Sequence, residues 1–230
     1  MANGSLTWLG HAAFRLDTPG GRRVYVDPFL GNPKCPPGEQ EPERVDLIAL
    51  THGHDDHVGS TVALHERFGC TVVAQVEVRW WLESLGIAGA SGNDPNKGGT
   101  WQWEGIEVSL TNANHSSSGP AGEYLGEPTG LVFRLEDGKT VYFAGDTNVF
   151  GDMELIRRIY EPEIAVLPIG DHYTMGPREA AVALELLGVR RCVPCHWGTF
   201  PLLRGRPQEL QELAPDVVVH LIEPGDTVEL

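Results

Sequence analysis

The segment Thr51-His52-Gly53-His54-Asp55-Asp56-His57 constrains this chain more than any other. It packs three imidazoles and two carboxylates behind the apolar run Leu47-Ile48-Ala49-Leu50. Further along, His115 stands alone, Asp146 sits in Ala144-Gly145-Asp146-Thr147, and His196 sits in Pro194-Cys195-His196-Trp197-Gly198. Four segments that each close a strand-like run with His or Asp are hard to explain by packing. Together they supply the ligands of a two-metal site.

On an extended segment alternate side chains share a face. His52, His54 and Asp56 have that parity, and His57 follows where a helix begins. One cation can take His52 and His54 while its neighbour takes Asp56 and His57. Asp55 has the opposite parity and reads as a carboxylate near the helix N-terminus. Neutral imidazole suits zinc, and a catalytic zinc keeps one coordination position open. Asp146 is the natural carboxylate to share between cations about 3.5–4 Å apart, with His115 and His196 completing the two shells. Water between such cations becomes hydroxide near neutral pH and serves as nucleophile, oriented by Asp56.

Strand-like runs occupy 6–9, 13–16, 24–27 and 46–51, with Gly20-Gly21 as a hairpin turn between the second and third. Helical periodicity follows at 58–68 and 77–85. A second strand series covers 100–103, 107–111, 130–135 and 140–144, with Asp137-Gly138 turning the last hairpin. The final third alternates helices at 152–160, 177–187 and 207–213 with strands at 164–167, 192–195 and 217–221. Two strand-then-helix halves predict two β-sheets face to face with helices outside, in one domain spanning residues 1–230. Long loops cover 31–44, 86–99 and 112–129; the third begins near His115 and is expected to rim the pocket.

The 230 residues, 41% hydrophobic, suffice for a sizeable core. Acidic residues outnumber basic ones 32 to 17, giving a net charge of −15, which argues against a nucleic-acid surface. No run reaches the roughly 18 apolar residues of a membrane span, and the N-terminus lacks a basic, apolar leader. A cytoplasmic protein with a small-molecule substrate, and neither nucleic acid nor membrane as partner, is the expectation. The sequence leaves open whether it forms a homo-oligomer. Cys35, Cys70, Cys192 and Cys195 read as buried, inert thiols, although the last two have redox-motif spacing.

The ligand pattern resembles the metallo-β-lactamase superfamily, whose first metal motif reads His-x-His-x-Asp-His. Asp27 in Val26-Asp27-Pro28, then His52 to His57, His115, Asp146 and His196 fall in the family's order along nearly the whole chain. The resemblance implies an α/β fold, an αβ/βα sandwich with a dinuclear site at one edge of its sheets. It assigns His52, His54 and His115 to the first metal, Asp56, His57 and His196 to the second, and Asp146 to both, with Asp27 buttressing the loop. Trp8-Leu9-Gly10-His11-Ala12-Ala13-Phe14 is similar to the small metal-dependent hydrolases related to ascorbate-6-phosphate lactonase. Oxygen-reducing di-iron members carry Glu where this chain has His54, so two divalent cations, zinc first, then manganese or iron, doing hydrolysis rather than redox chemistry are implied.

Four other histidines are weighed individually. His11 reads equally as a pocket imidazole or a hydrogen-bonded core residue. His172, in Asp171-His172-Tyr173-Thr174, ends a strand run and is a candidate general acid or oxyanion ligand. His65 is expected on the surface and His220 on an edge strand. Trp80-Trp81 reads as packing, and Asn96, Gly98 and Gly99 as turn residues or a pocket-edge loop. The expected activity is hydrolysis of a small ester, lactone or phosphoester. A nuclease with the same core and a metal-dependent sensor without turnover are the rivals.

Overall fold

The computed structural model describes residues 3–87 and 94–230; residues 88–93, within the long 86–99 loop, lie outside the described residues. In chain order the elements are β1 (Ser5–Trp8), β2 (Phe14–Asp17), β3 (Arg23–Val26), β4 (Leu47–Ala49), α1 (Asp55–Val58), α2 (Thr61–Phe68), β5 (Thr71–Val73) and α3 (Val76–Ser84). Then come β6 (Thr100–Trp103), β7 (Ile106–Asn112), β8 (Thr129–Arg134), β9 (Thr140–Phe143), α4 (Met153–Tyr160), β10 (Ile164–Pro168), α5 (Pro177–Leu187), β11 (Arg191–Cys195), α6 (Pro207–Leu213), β12 (Val218–Val219) and β13 (Thr227–Glu229).

Six strands form one sheet, ordered β13-β1-β2-β3-β4-β5, and seven form the other, ordered β12-β11-β10-β9-β8-β7-β6. Each sheet begins with antiparallel hairpins and continues with parallel strands: β3-β4-β5 in the first, β9-β10-β11-β12 in the second. The two hairpin turns read from the sequence, β2–β3 and β8–β9, each carry a glycine with positive φ, Gly21 and Gly138.

Inner strands are covered on both faces, so their apolar residues divide by parity. Val141, Phe143, Ile164 and Val166 enter the core between the sheets, where they meet Val24, Val26, Leu47 and Ala49. Their neighbours Tyr142, Ala144, Ala165 and Leu167 pack under α4, α5 and α6. Tyr25, Ile48 and Leu50 pack on the other side, with Leu64, Val78 and Leu82 of α2 and α3. The result is four layers, helix–sheet–sheet–helix. Cys192 and Cys195, three apart on β11, fall on opposite faces of the strand and are buried free thiols. Burial raises both thiol pKa values.

Several local expectations are corrected. The helix expected over 58–68 is two helices, because the chain breaks at Gly59 and Ser60. A Cβ at Gly59 would lie 2.9 Å from the Phe29 Cα, and Ser60 N donates to Pro28 O at 2.9 Å. That close pass ties the metal motif to the end of β3. Strands β5 and β13 were not expected; three residues each, they exist by pairing with β4 and β1. The strand expected over 217–221 shrinks to Val218–Val219, the two residues that pair with β11. Trp80 is 59% exposed, and only Trp81 packs. His65 is half-buried, with Nδ1 2.8 Å from Cys70 O.

Candidate metal centre

The parallel strands of both sheets point their C-terminal ends at one edge, where α/β folds commonly place ligands. Asp27 follows β3, His52 to His57 follow β4, Asp146 follows β9, and His196 follows β11. Beyond β4 the chain bends at Thr51, is extended at His54 and turns helical at Asp55. Thus His52 and His54 face one way, and α1 carries Asp56 and His57. Gly145 has φ +63, and a Cβ there would meet Thr129 O at 2.8 Å and Thr51 Cβ at 2.9 Å. Only glycine lets Asp146 approach the histidine motif so closely.

Three overlapping groups of ligand atoms result, the atoms of each within 4.8 Å of one another: His52, His54 and His115; His11, Asp56, His57 and His196; and His52, His57 and Asp146. All seven residues assigned from the sequence therefore meet in one cluster. His52 Nε2 and His54 Nδ1 converge to 2.9 Å. Asp146 Oδ2 lies 3.2 Å from His196 Nε2, 3.4 Å from His57 Nε2 and 3.6 Å from His115 Nε2, so it touches both histidine groups.

Polar partners aim these side chains from behind. Asp27 Oδ1 accepts the Thr51 N–H at 2.8 Å, while Oδ2 accepts Thr51 Oγ1–H at 2.6 Å and His57 Nδ1–H at 2.8 Å. Thr51 Oγ1 is also 3.0 Å from His52 Nδ1. One buried carboxylate thus turns the Nε2 atoms of His57 and His52 toward the cluster, the arrangement that orients metal-binding imidazoles.

His11, undecided from the sequence, joins the cluster. It is fully buried, with Nε2 2.8 Å from Asp56 Oδ2 and its ring 4.0 Å from that of His196. Its carbonyl accepts the His196 N–H at 2.9 Å and Trp8 Nε1–H at 3.0 Å. The Trp8-Leu9-Gly10-His11 run was the available signal, but parity could not show where a loop folds. His11, Asp27 and His196 all have positive φ, +53, +46 and +54. Such backbone costs of order 1–3 kcal/mol per residue and persists where surrounding structure imposes it.

The titration directions follow from this crowding. Burial pushes His11 down to about 4 despite the neighbouring Asp56, so its ring is neutral and Nε2 donates to that carboxylate. Burial also lowers His52, with His57 adding to the effect. For His57 burial opposes protonation, but Asp146 and Asp27 outweigh it and raise the pKa well above the usual value. Against the same opposition, Asp146 and Asp56 raise His196 to about 9. Burial alone would raise Asp146 and Asp56; the surrounding imidazoles hold both well below the carboxylate range.

The donor set fits a cation. His57 Nε2, His196 Nε2 and Asp146 Oδ1 are buried and make no hydrogen bond, whereas roughly nine in ten buried polar groups are paired. Protons on His57 and His196 balance the carboxylates in the protein alone; divalent cations would take their place. Imidazole and carboxylate donors suit zinc, manganese or iron.

His172 stays outside the three groups. It and Asp171 both have positive φ, and this double left-handed turn sets the exposed imidazole edge-on to Tyr173, ring centroids 4.4 Å apart. The loop itself borders the cluster: Met175 N donates to Thr147 O at 3.1 Å, and a Cβ at Gly170 would strike His196 O. Asp55 is exposed at the start of α1. The 112–129 loop packs on the motif, Ser117 Oγ accepting the Gly53 N–H at 3.2 Å and Ser116 Oγ lying 3.4 Å from His54 Nε2.

Two packed mixed sheets that deliver histidines and aspartates to one edge define the metallohydrolase class. Residues 22–197 match the family described as the Beta-lactamase superfamily domain. The chain belongs to the metallo-β-lactamase superfamily, as an enzyme of its metal-dependent hydrolase group. It is 44% identical to a UPF0173 metal-dependent hydrolase of Herpetosiphon aurantiacus, over 98% of each chain. With the corresponding protein of Rubrobacter xylanophilus it shares 46% identity, over 96% of this chain and 94% of the relative. The solved structure of Igni18, described as a metallo hydrolase of the archaeon Ignicoccus hospitalis, superposes with a TM-score of 0.90 at 33% identity, covering 100% of this chain and 99% of that one. An isothiocyanate hydrolase from Delia radicum gut bacteria shares the fold, with a TM-score of 0.75 at 24% identity over 98% and 99% of the two chains. Among the described residues no helix is long and apolar enough to cross a membrane.

Proposed function

We propose that the centre holds two divalent cations, zinc foremost, and that the enzyme hydrolyses a small ester, lactone or phosphoester. His52, His54 and His115 hold one cation, Asp56, His57 and His196 the other, and Asp146 is shared. The observation that carries this reading is the position of Asp146 Oδ2, within 3.6 Å of histidines from both groups. Seven donors exceed what one tetrahedral cation uses. When bound, the cations supply Lewis acidity, activating water near neutral pH and stabilising oxyanion charge.

The chain's own groups do the positioning. Asp27 and Thr51 fix which nitrogens of His57 and His52 face the centre. His11 Nε2 donates to Asp56 Oδ2, the oxygen that also lies 3.8 Å from His196 Nε2 and 3.9 Å from His57 Nε2, so the Asp56 carboxylate is oriented before substrate arrives. Exposed His172, on the loop that Met175 ties to Thr147, is assigned here as proton donor to the leaving group. The net charge of −15 supports a small substrate over a nucleic-acid polymer.

Elemental analysis should find two cations per chain, and Asp146→Ala should lose both. Full occupancy in that variant would overturn the shared ligand. Asp56→Asn should lower kcat while retaining fold; unchanged kcat would reduce Asp56 to a scaffold residue. A screen of esters, lactones and phosphodiesters tests the substrate class. Cleavage of tRNA or single-stranded DNA at low salt, abolished by His115→Ala, would replace it with a nuclease.

A further inference from the structure

A string of polar side chains leads away from His115 and ends on Lys97. Lys97 Nζ donates to Asn112 Oδ1 at 2.9 Å, and Asn112 Nδ2 donates to Asn114 Oδ1 at 3.1 Å. The Asn114 N–H donates to Thr147 Oγ1 at 3.0 Å. Asn114 immediately precedes His115, and Thr147 immediately follows Asp146. Two residues separate Asn112 from His115, so their Cα atoms are at most about 11 Å apart. Lys97 is therefore tied, through Asn112, to the end of β7 from which the chain leads into His115.

The 94–99 segment is built to keep it there. Arg79 Nε donates to Asp94 Oδ1 at 3.1 Å, in an ion pair whose side chains are only 1% and 5% exposed. Gly98 N donates to Leu110 O at 2.7 Å, and Leu110 N returns a bond to Gly99 O at 3.0 Å. Burying an ion pair costs several kcal/mol of desolvation per ion before attraction offsets it. An anchor of that kind makes sense for a segment whose side chain must be held in place. Half-buried Lys97 has no carboxylate within 4.0 Å among the described residues, and Glu127 acts on it only from further off. An ammonium has three donors, of which Asn112 takes one.

The geometry points to Lys97, supported by the Asn112–Asn114 amides, as the subsite that binds an anionic group, carboxylate or phosphate, at the end of the substrate remote from the hydrolysed bond. This rests on the reading of the centre as a small-molecule hydrolase. An acidic protein repels anions in bulk, so a fixed cation there supplies local attraction and sets which end of the substrate enters first.

Binding of uncleavable probes tests the subsite apart from catalysis. Calorimetry on metal-loaded protein compares 4-phenoxybutyrate and 3-phenoxypropyl phosphate with the neutral 4-phenoxybutanamide, in wild type, Lys97→Met and Lys97→Arg. Lys97→Met should lose at least tenfold in affinity for one or both anions, and which one identifies the recognised group. Affinity for the amide should not change, and Lys97→Arg should keep most of the preference. An anion preference that survives Lys97→Met, or an equal loss for the neutral amide, overturns the subsite. If the preference depends on Lys97 yet no ester, lactone or phosphoester is cleaved, the subsite stands and the substrate class fails. If esters are cleaved and Lys97 is indifferent, the subsite alone fails.

Discussion

The two halves of the centre differ in how firmly the fold holds them. On one side His11, His57 and His196 are buried, two of the three sit on left-handed backbone, and each touches a carboxylate: Asp56, Asp27 or Asp146. On the other, His54 and His115 are half-buried, and among the described residues the only hydrogen-bond partner of His54 besides His52 is Ser116 Oγ at 3.4 Å. His115 lies on a loop rather than a strand. The contrast teaches that one group is imposed by the core, whereas the other joins buried His52 to two half-buried imidazoles assembled at the surface and shaped by the 112–129 loop. The imposed side should hold its cation tightly and orient the reaction; the assembled side should exchange its cation and admit substrate.

Asp146→Ala is the largest test, because it removes the one group common to both halves. Metal analysis should show both cations lost and hydrolysis reduced to background; retention on the imposed side alone would mean that half is self-sufficient. Next is Asp27→Ala, which should weaken metal binding by about 10- to 100-fold. It should also lower stability by about 3 kcal/mol, since His57 and the Thr51 N–H lose a buried partner. Ser116→Ala, the counterpart on the assembled side, should leave the melting temperature unchanged. Equal losses in the two variants would erase the contrast.

Dialysis against a chelator should empty the His52, His54 and His115 group first, read as biphasic metal release. Simultaneous release would show the halves to be equally held. Proton linkage offers a smaller effect. In metal-free protein the His196 pKa is raised to about 9 from 6.5, so its stabilising charge is complete below pH 6.5 and lost as pH rises through 9. The melting temperature of metal-free protein should fall across that window, and metal uptake at pH 7 should release protons. A flat profile would contradict the burial of His196 between carboxylates. His172→Ala should have the smallest effect, a severalfold drop in kcat with metal content intact. Unchanged kcat would remove His172 from the mechanism.

Most of the architecture was legible because its causes are local. Apolar runs, Gly20-Gly21 and Asp137-Gly138 turns and helical periodicity set the strands, hairpins and helices within a few residues of their observed ends. The His52 to His57 spacing alone placed imidazoles and carboxylates on a strand end and the first turn of a helix. The short strands β5 and β13 escaped, because three residues carry no periodicity and exist only through their partners. The break at Gly59 escaped for the same reason, since the approach of Phe29 is a tertiary contact.

The sequence by itself determined the donor types, their order and the parity that lets two histidines face one cation. Only the tertiary structure decided that His11 belongs with Asp56 and His196, that His172 does not, and that Lys97 ends a polar string beginning beside His115. The physical reason is separation along the chain. His11 and Asp56 are 45 residues apart and meet at 2.8 Å because β1, β4 and β11 end at one edge of packed sheets. No local propensity encodes that distance.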